Sequence, residues 1–227
     1  MVKLIFFCRR RADITHEQYV ERLLAGHVPI ALRHHPTLRR YVVNIVEDSP
    51  PGWDELDSIG ELWFDHLDDF RERLYDSVEG RRVVEQDVAG FMGSADAYVT
   101  TEHVQRAPLT PPALGTRAPG ITLICPLLRR PDLTHAGFVA HWLHHHAALA
   151  LRHHSGMVAY VTNVVDRHLP RSQPALDGIA QLTFPSVRAL RDAMFDSADG
   201  ERIIRTDMAR FIGRTAAYRA AAYVQKT

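Results

Sequence analysis

The sequence predicts an α+β protein: two ferredoxin-like βαββαβ units forming an intrachain pseudo-dimeric α+β barrel. Three observations carry that expectation. First, residues 15–46 return as residues 134–165 at an offset of 119 positions, with 14 of 32 residues identical, which marks duplication of a structural unit. Second, short β-rich apolar runs alternate in each copy with long stretches of helical spacing. Third, RAPLTPPALGTRAPG runs between the copies, and Pro108, Pro111, Pro112 and Pro119 favour extended backbone over helix or sheet ladder. The chain thus divides into a first unit over residues 1–105, a linker over 106–119 and a second unit over 120–227.

Each element has a local reason. VKLIFFC and ITLIC open the units as strands. Thr15 and Thr134 follow at N-cap positions, where a hydroxyl accepts from a free N–H of the first turn. In the first copy an apolar stripe runs through Tyr19, Leu23, His27, Ile30 and His34; in the second it runs through Phe138, Trp142, His146, Leu149 and His153. These helices should end near Pro36 and Gly156. YVVNIV and YVTNVV are the second strands, and IGELWF and IAQLTF the third. A second helical region, expected to break near Gly80 and Gly200, leads to a last strand around Tyr98 and Tyr218. Helices on one face leave the other sheet face apolar and bare, and a second copy in the same chain covers it.

Composition narrows the function. Of 227 residues, 46% are hydrophobic and 24% charged, enough for a packed core and incompatible with wholesale disorder. Twenty-seven basic and twenty-seven acidic residues cancel, so no excess positive field exists to hold nucleic acid or an anionic membrane. No run approaches the roughly 18 apolar residues of a membrane helix. At the N-terminus the apolar stretch precedes the arginines, the reverse of a signal peptide, so a soluble cytoplasmic protein is expected. Cys8 and Cys125 sit in apolar runs and read as buried thiols.

FVAHWLHHHAAL, followed by YVTNVV, DGIAQLTF and DSADGERIIRTDMARFIG, closely resembles the EthD-like family of the dimeric α+β barrel superfamily. That family's first helix has the form F-x-x-x-W-x-x-x-H, matched by Phe138, Trp142 and His146; the first copy keeps Tyr19 and His27, with Leu23 in place of the tryptophan. The resemblance spans nearly the whole chain outside the linker, once per copy. It implies a small apolar cavity between sheet and helices in each unit. The helix histidine and polar residues of the second strand would face it, namely His27 with Tyr41 and Asn44, and His146 with Tyr160 and Asn163. It also implies no metal and no organic cofactor.

The residues themselves allow a division of labour. A histidine on a buried stripe is kept neutral, the state that takes up a proton. A phenol on Tyr41 or Tyr160 can donate to a developing oxyanion. Asn44 and Asn163 lie three positions after these tyrosines, so strand alternation points them to the opposite face unless a bulge intervenes. Phe138, Trp142, Arg152, His153 and its counterpart His34 complete the substrate-binding candidates; His153 follows His146 by two helical turns. Basic residues at the ends of both first helices also suit the helix dipole. His141 and His145 have a spacing at which two imidazoles can share a metal. No carboxylate or cysteine stands at ligand spacing beside them, and Arg22 and Gly26 hold the matching positions, so no working metal site is expected. Asp76, Ser77 and Gly80, with Asp196, Ser197 and Gly200, fit N-cap chemistry at a helix break, and Asp87 and Asp207 are candidates to pair with arginine.

The expected function is a cofactor-independent enzyme acting on a small hydrophobic oxygenated substrate (aromatic, lactone or polyketide-like) by histidine acid/base chemistry, as lyase, isomerase or cyclase. The second copy, with the fuller motif, is the expected working site. The alternatives are a non-catalytic binding protein for an apolar metabolite, a cofactor-free monooxygenase or a haem-binding protein. Pairing of two chains into a homodimer is left open.

Overall fold

The computed structural model describes residues 1–108, 113–169 and 174–227; Pro111 and Pro112 of the linker lie outside the described residues. The first unit runs β1 (Val2–Arg10), α1 (His16–Glu21), α2 (Val28–His34), β2 (Arg40–Asp48), β3 (Ser58–Phe64), α3 (Leu67–Arg71), α4 (Val78–Phe91) and β4 (Met92–Arg106). The second repeats it as β5 (Ile121–Arg129), α5 (His135–His141), α6 (Ala147–His153), β6 (Ala159–His168), β7 (Gly178–Phe184), α7 (Val187–Asp192), α8 (Ala198–Phe211), β8 (Ile212–Thr215) and β9 (Tyr218–Lys226). Thr15 and Thr134 cap their helices, accepting from the N–H groups of Gln18 and Gly137.

The break in the second helical region falls at residues 72–77, ahead of Gly80 rather than at it. Gly80 and Gly200 lie in the first turns of α4 and α8, and their N–H groups donate to the Ser77 and Ser197 hydroxyls. A Cβ at Gly200 would collide with Asp196, whose carboxylate accepts from His153 at 3.0 Å. The repeated Asp-Ser-x-x-Gly pattern is therefore a cap joined to the end of the first helix.

The sheet closes on itself. Counting β8 and β9 as two stretches of one strand, the order around the ring is β1-β3-β2-β9-β5-β7-β6-β4, with β4 returning to β1. The units meet at the β2–β9 and β4–β6 seams, so an eight-stranded barrel is shared by the two copies. Alternation then sorts each strand. Leu4 and Cys8 face the first unit's helices, while Ile5 and Phe7 enter the lumen beside Ile59, Tyr98, Ile124, Ile179 and Tyr218.

The other end of the lumen is polar. Lys3, 1% exposed, places Nζ 2.6 Å from Glu61 and 2.7 Å from Glu102. Glu61 Oε1 also accepts from Asn44 at 2.6 Å and from Gln181, across the pseudo-dimer, at 2.8 Å. The charges come from one copy alone: Thr122 and Gln181 hold the positions of Lys3 and Glu61 in the other. These groups line a cavity of about 530 Å³ that Pro108, Ala118 and Pro119 of the linker help to bound.

Candidate active site

In both units the first helix widens into a π-helical turn, Arg22–His27 and Trp142–His146. Such turns recur at functional sites, and here each ends on the candidate histidine. Both imidazoles turn inward: His27 is 8% and His146 7% exposed. His146 Nδ1 lies 2.9 Å from Asp207 Oδ2, and His27 Nδ1 2.8 Å from Asp87. An ionised carboxylate only accepts, so Nδ1 carries the proton and Nε2 keeps its lone pair. Burial pulls the His146 pKa down; Asp207 opposes it and loses, leaving a value below the ordinary one. At neutral pH the ring is an uncharged base.

His146 lines a cavity of about 330 Å³ between the second unit's helices and sheet, with Trp142, Tyr160, His154 and Cys125 among its walls. Tyr160 Oη accepts from the Trp142 indole N–H at 3.2 Å, which leaves the phenolic O–H unused by that contact. Burial raises the Tyr160 pKa, so the group is a donor and not a base. His154 Nδ1 donates to the Met194 carbonyl at 2.7 Å and is likewise held neutral, its pKa lowered by burial. Burial pushes Cys125 up to about 12, which keeps it a thiol. Arg205 stands at the rim, tied to Glu201 at 2.7 Å. The cavity can hold an apolar body and offer one oxygen a hydrogen bond beside a neutral base.

The sequence candidates divide by place. His146, Tyr160 and Trp142 come together on this cavity. Phe138 stands behind it, its ring 5.5 Å from those of Trp142 and Phe211. His153 does not reach the cavity; it pairs with Asp196, as His34 pairs with Asp76 at 3.0 Å. The neighbour His154 enters instead, because the backbone leaves the helix there with ψ 79°. Arg152 is exposed at the end of α6. Asn44 and Asn163 lie across the sheet in the barrel lumen, donating to the carbonyls of Ile59 and Ile179 at 3.0 Å. Strand alternation thus outweighs their grouping with the tyrosines. Asp87 and Asp207 take histidine partners in place of the expected arginines; Arg210 comes no nearer than 4.0 Å to Asp207.

Two residues are not assigned to the site from the sequence, Asp207 being expected there to pair with arginine. Asp207 stands 61 residues after His146, and nothing local links them. Gly178, at the start of β7, leaves room for the Trp142 ring, which a Cβ there would strike. The first copy has Leu23 and Ser58 at this pair, and Ser58 Oγ lies 2.7 Å from Tyr19 Oη. Its Tyr41 and His27 are buried like their counterparts. Phe6, packed on Phe70 with ring centroids 5.8 Å apart, takes the place of the cavity-lining Cys125.

A model of the EthD domain matches residues 11–95 and again 130–215. No curated protein matches the chain. Among solved structures, an anthrone oxidase-like protein is similar over 100% of this chain and 93% of its own, with a TM-score of 0.65 at 11% identity. A candidate monooxygenase from Fusobacterium nucleatum is similar over 99% and 92%, with a TM-score of 0.61 at 8% identity. A mutant chlorite dismutase from Candidatus Nitrospira defluvii is similar over 97% and 91%, with a TM-score of 0.55 at 11% identity. At these identities the likeness is one of fold, the dimeric α+β barrel.

Proposed function

This chain belongs to the EthD family, carrying the domain twice, and from the geometry of its second copy we propose that it is an enzyme of proton transfer. Its substrate is a small hydrophobic molecule bearing a carbonyl or phenolic oxygen. The observation that carries this reading is the pairing, on one apolar cavity, of a neutral His146 with a Tyr160 hydroxyl whose acceptor side is already taken by Trp142. His146 Nε2 removes a proton from the carbon beside the substrate carbonyl, and the electron pair moves onto the oxygen, where the Tyr160 O–H meets it. Asp207 offsets the imidazolium so formed. Return of the proton to another carbon completes an isomerisation, attack of the carbanion within the same molecule a cyclisation, and expulsion of a leaving group a lyase reaction. A cavity of about 330 Å³ is at the small end for ligand sites, which favours compact ring systems. A cytoplasmic setting is part of the proposal; among the described residues no helix is long and apolar enough to cross a membrane.

A second reading shares the first step. The anthrone oxidase-like and candidate monooxygenase neighbours favour transfer of the carbanion's electrons to dioxygen, with oxygen consumption as its signature. One assay tests both. A panel of cyclic ketones, lactones and phenols is incubated in deuterium oxide, and loss of the acidic C–H signal is followed by NMR with oxygen uptake measured alongside. Wild-type protein should accelerate exchange on at least one compound, and His146→Gln should lower the rate by about 10²–10⁴-fold. Equal rates in both proteins, or a ligand bound with no exchange, would reject catalysis by His146.

A further inference from the structure

The fold gathers two histidines that the proposed reaction does not use around the carboxylate that supports its base. His141 ends α5 and His145 follows one turn later, and both rings face Asp207 of α8. His141 Nε2 lies 3.0 Å and His145 Nε2 3.3 Å from the same oxygen, Asp207 Oδ1. All three ligand atoms fall within 4.8 Å of one another. Asp207 is 3% exposed and fixed from behind by His146 on Oδ2, whereas His145 is half-exposed and open to solvent.

We propose that His141, His145 and Asp207 form a binding site for a divalent transition metal ion of the zinc type. Two imidazole nitrogens and one carboxylate oxygen are the donor set these ions take, with further positions left to water. Zinc bonds of about 2.0–2.2 Å in tetrahedral geometry put neighbouring ligand atoms about 3.3 Å apart, close to the 3.0 and 3.3 Å that separate the two Nε2 atoms from Asp207 Oδ1. Both histidines need only carry their proton on Nδ1 to offer Nε2 to the ion. The carboxylate is already oriented, because Oδ2 stays on His146 when Oδ1 turns to the metal. The ion would therefore sit on the solvent side of the wall whose inner side is the cavity, sharing one carboxylate with it. The duplication supplies an internal comparison: the first copy keeps Asp87 but has Arg22 and Gly26 at the histidine positions.

The test is binding, independent of any turnover. Full-length protein is stripped with chelator, and zinc uptake is measured by calorimetry in parallel with His141→Ala, His145→Ala and His144→Ala. His144 is an exposed neighbour outside the cluster. Wild-type protein and His144→Ala should take up one equivalent per chain tightly. Removal of either ligand histidine should weaken this by at least about 100-fold, beyond the 10–100-fold typical of supporting residues. Circular dichroism of each variant separates loss of the site from loss of the fold, and His145, being exposed, can be replaced without disturbing the core. No saturable uptake by wild-type protein, equal affinity in His145→Ala, or equal weakening by His144→Ala would overturn the proposal in favour of diffuse binding to surface histidines.

Discussion

Replacing Lys3 by methionine keeps most of the unbranched side chain and deletes its charge. Lys3 and Glu61 have side chains only 2% and 5% exposed and stand 2.6 Å apart. After the substitution Glu61 keeps the amides of Asn44 and Gln181 but no cation. Breaking a buried pair in this way costs about 3–5 kcal/mol, because an uncompensated charge is left inside. At about 2–4 °C per kcal/mol for a chain of this size, the melting temperature at pH 7 should fall by roughly 6–20 °C. Burial pushes the Glu61 pKa up, but Lys3 together with the amides of Asn44 and Gln181 outweighs it and holds the group below its ordinary 4.5. In Lys3→Met the upward push of burial is opposed only by the amides of Asn44 and Gln181, so the pKa rises. An acid whose folded pKa is raised stabilises the fold below its unfolded value and loses that contribution as pH rises through the folded one. The deficit of the variant should therefore widen between pH 4.5 and 7. The double variant Lys3→Met/Glu61→Gln removes both charges of this pair, leaves only the partly exposed Glu102 without its cation, and should regain most of the loss. Calorimetry and circular dichroism across that pH range measure all three proteins. A single-variant loss below about 1 kcal/mol, or a double variant no more stable than Lys3→Met, would refute the view that this pair is a coupled buried unit.

Two further predictions concern stability and the cavity. Burial lowers the pKa of His27, His35, His146 and His154; below about pH 6.5 the unfolded chain binds protons that the folded one refuses. Stability should be level above pH 7 and fall as pH drops below 6.5, by up to about 1.4 kcal/mol per pH unit for each histidine; a denaturation midpoint independent of pH from 7 to 5 would contradict this. Gly178→Ala should destabilise by about 1–3 kcal/mol through overpacking against Trp142, whereas Trp142→Leu/Gly178→Ser, the pair found in the first copy, should recover part of that loss in urea titrations.

The sequence by itself determined the fold, because duplication and period are one-dimensional signals. The two copies, the Thr15 and Thr134 caps and the strand–helix order are all local facts, and the apolar sheet face left over demands a partner that the second copy provides. It also placed His146 and Trp142 on the helix side, since they share a helical stripe, and the family resemblance added Tyr160. Alternation already warned that Asn163 belongs to the other face. Only the tertiary structure decided what these groups touch. Asp207 meets three histidines from 61 to 66 residues away because α8 packs beside the π-helical turn. That contact turns a histidine run which looked unsuited to a metal into a three-ligand cluster. Lys3 became one pole of a buried charge network only when β3 and β4 paired on either side of β1, bringing Glu61 and Glu102, and the barrel closed to add Gln181. His154 replaced His153 because a helix end, not a helical period, aims it. Pairings at long range depend on how elements dock, and docking is decided by packing among surfaces that no single stretch of sequence contains.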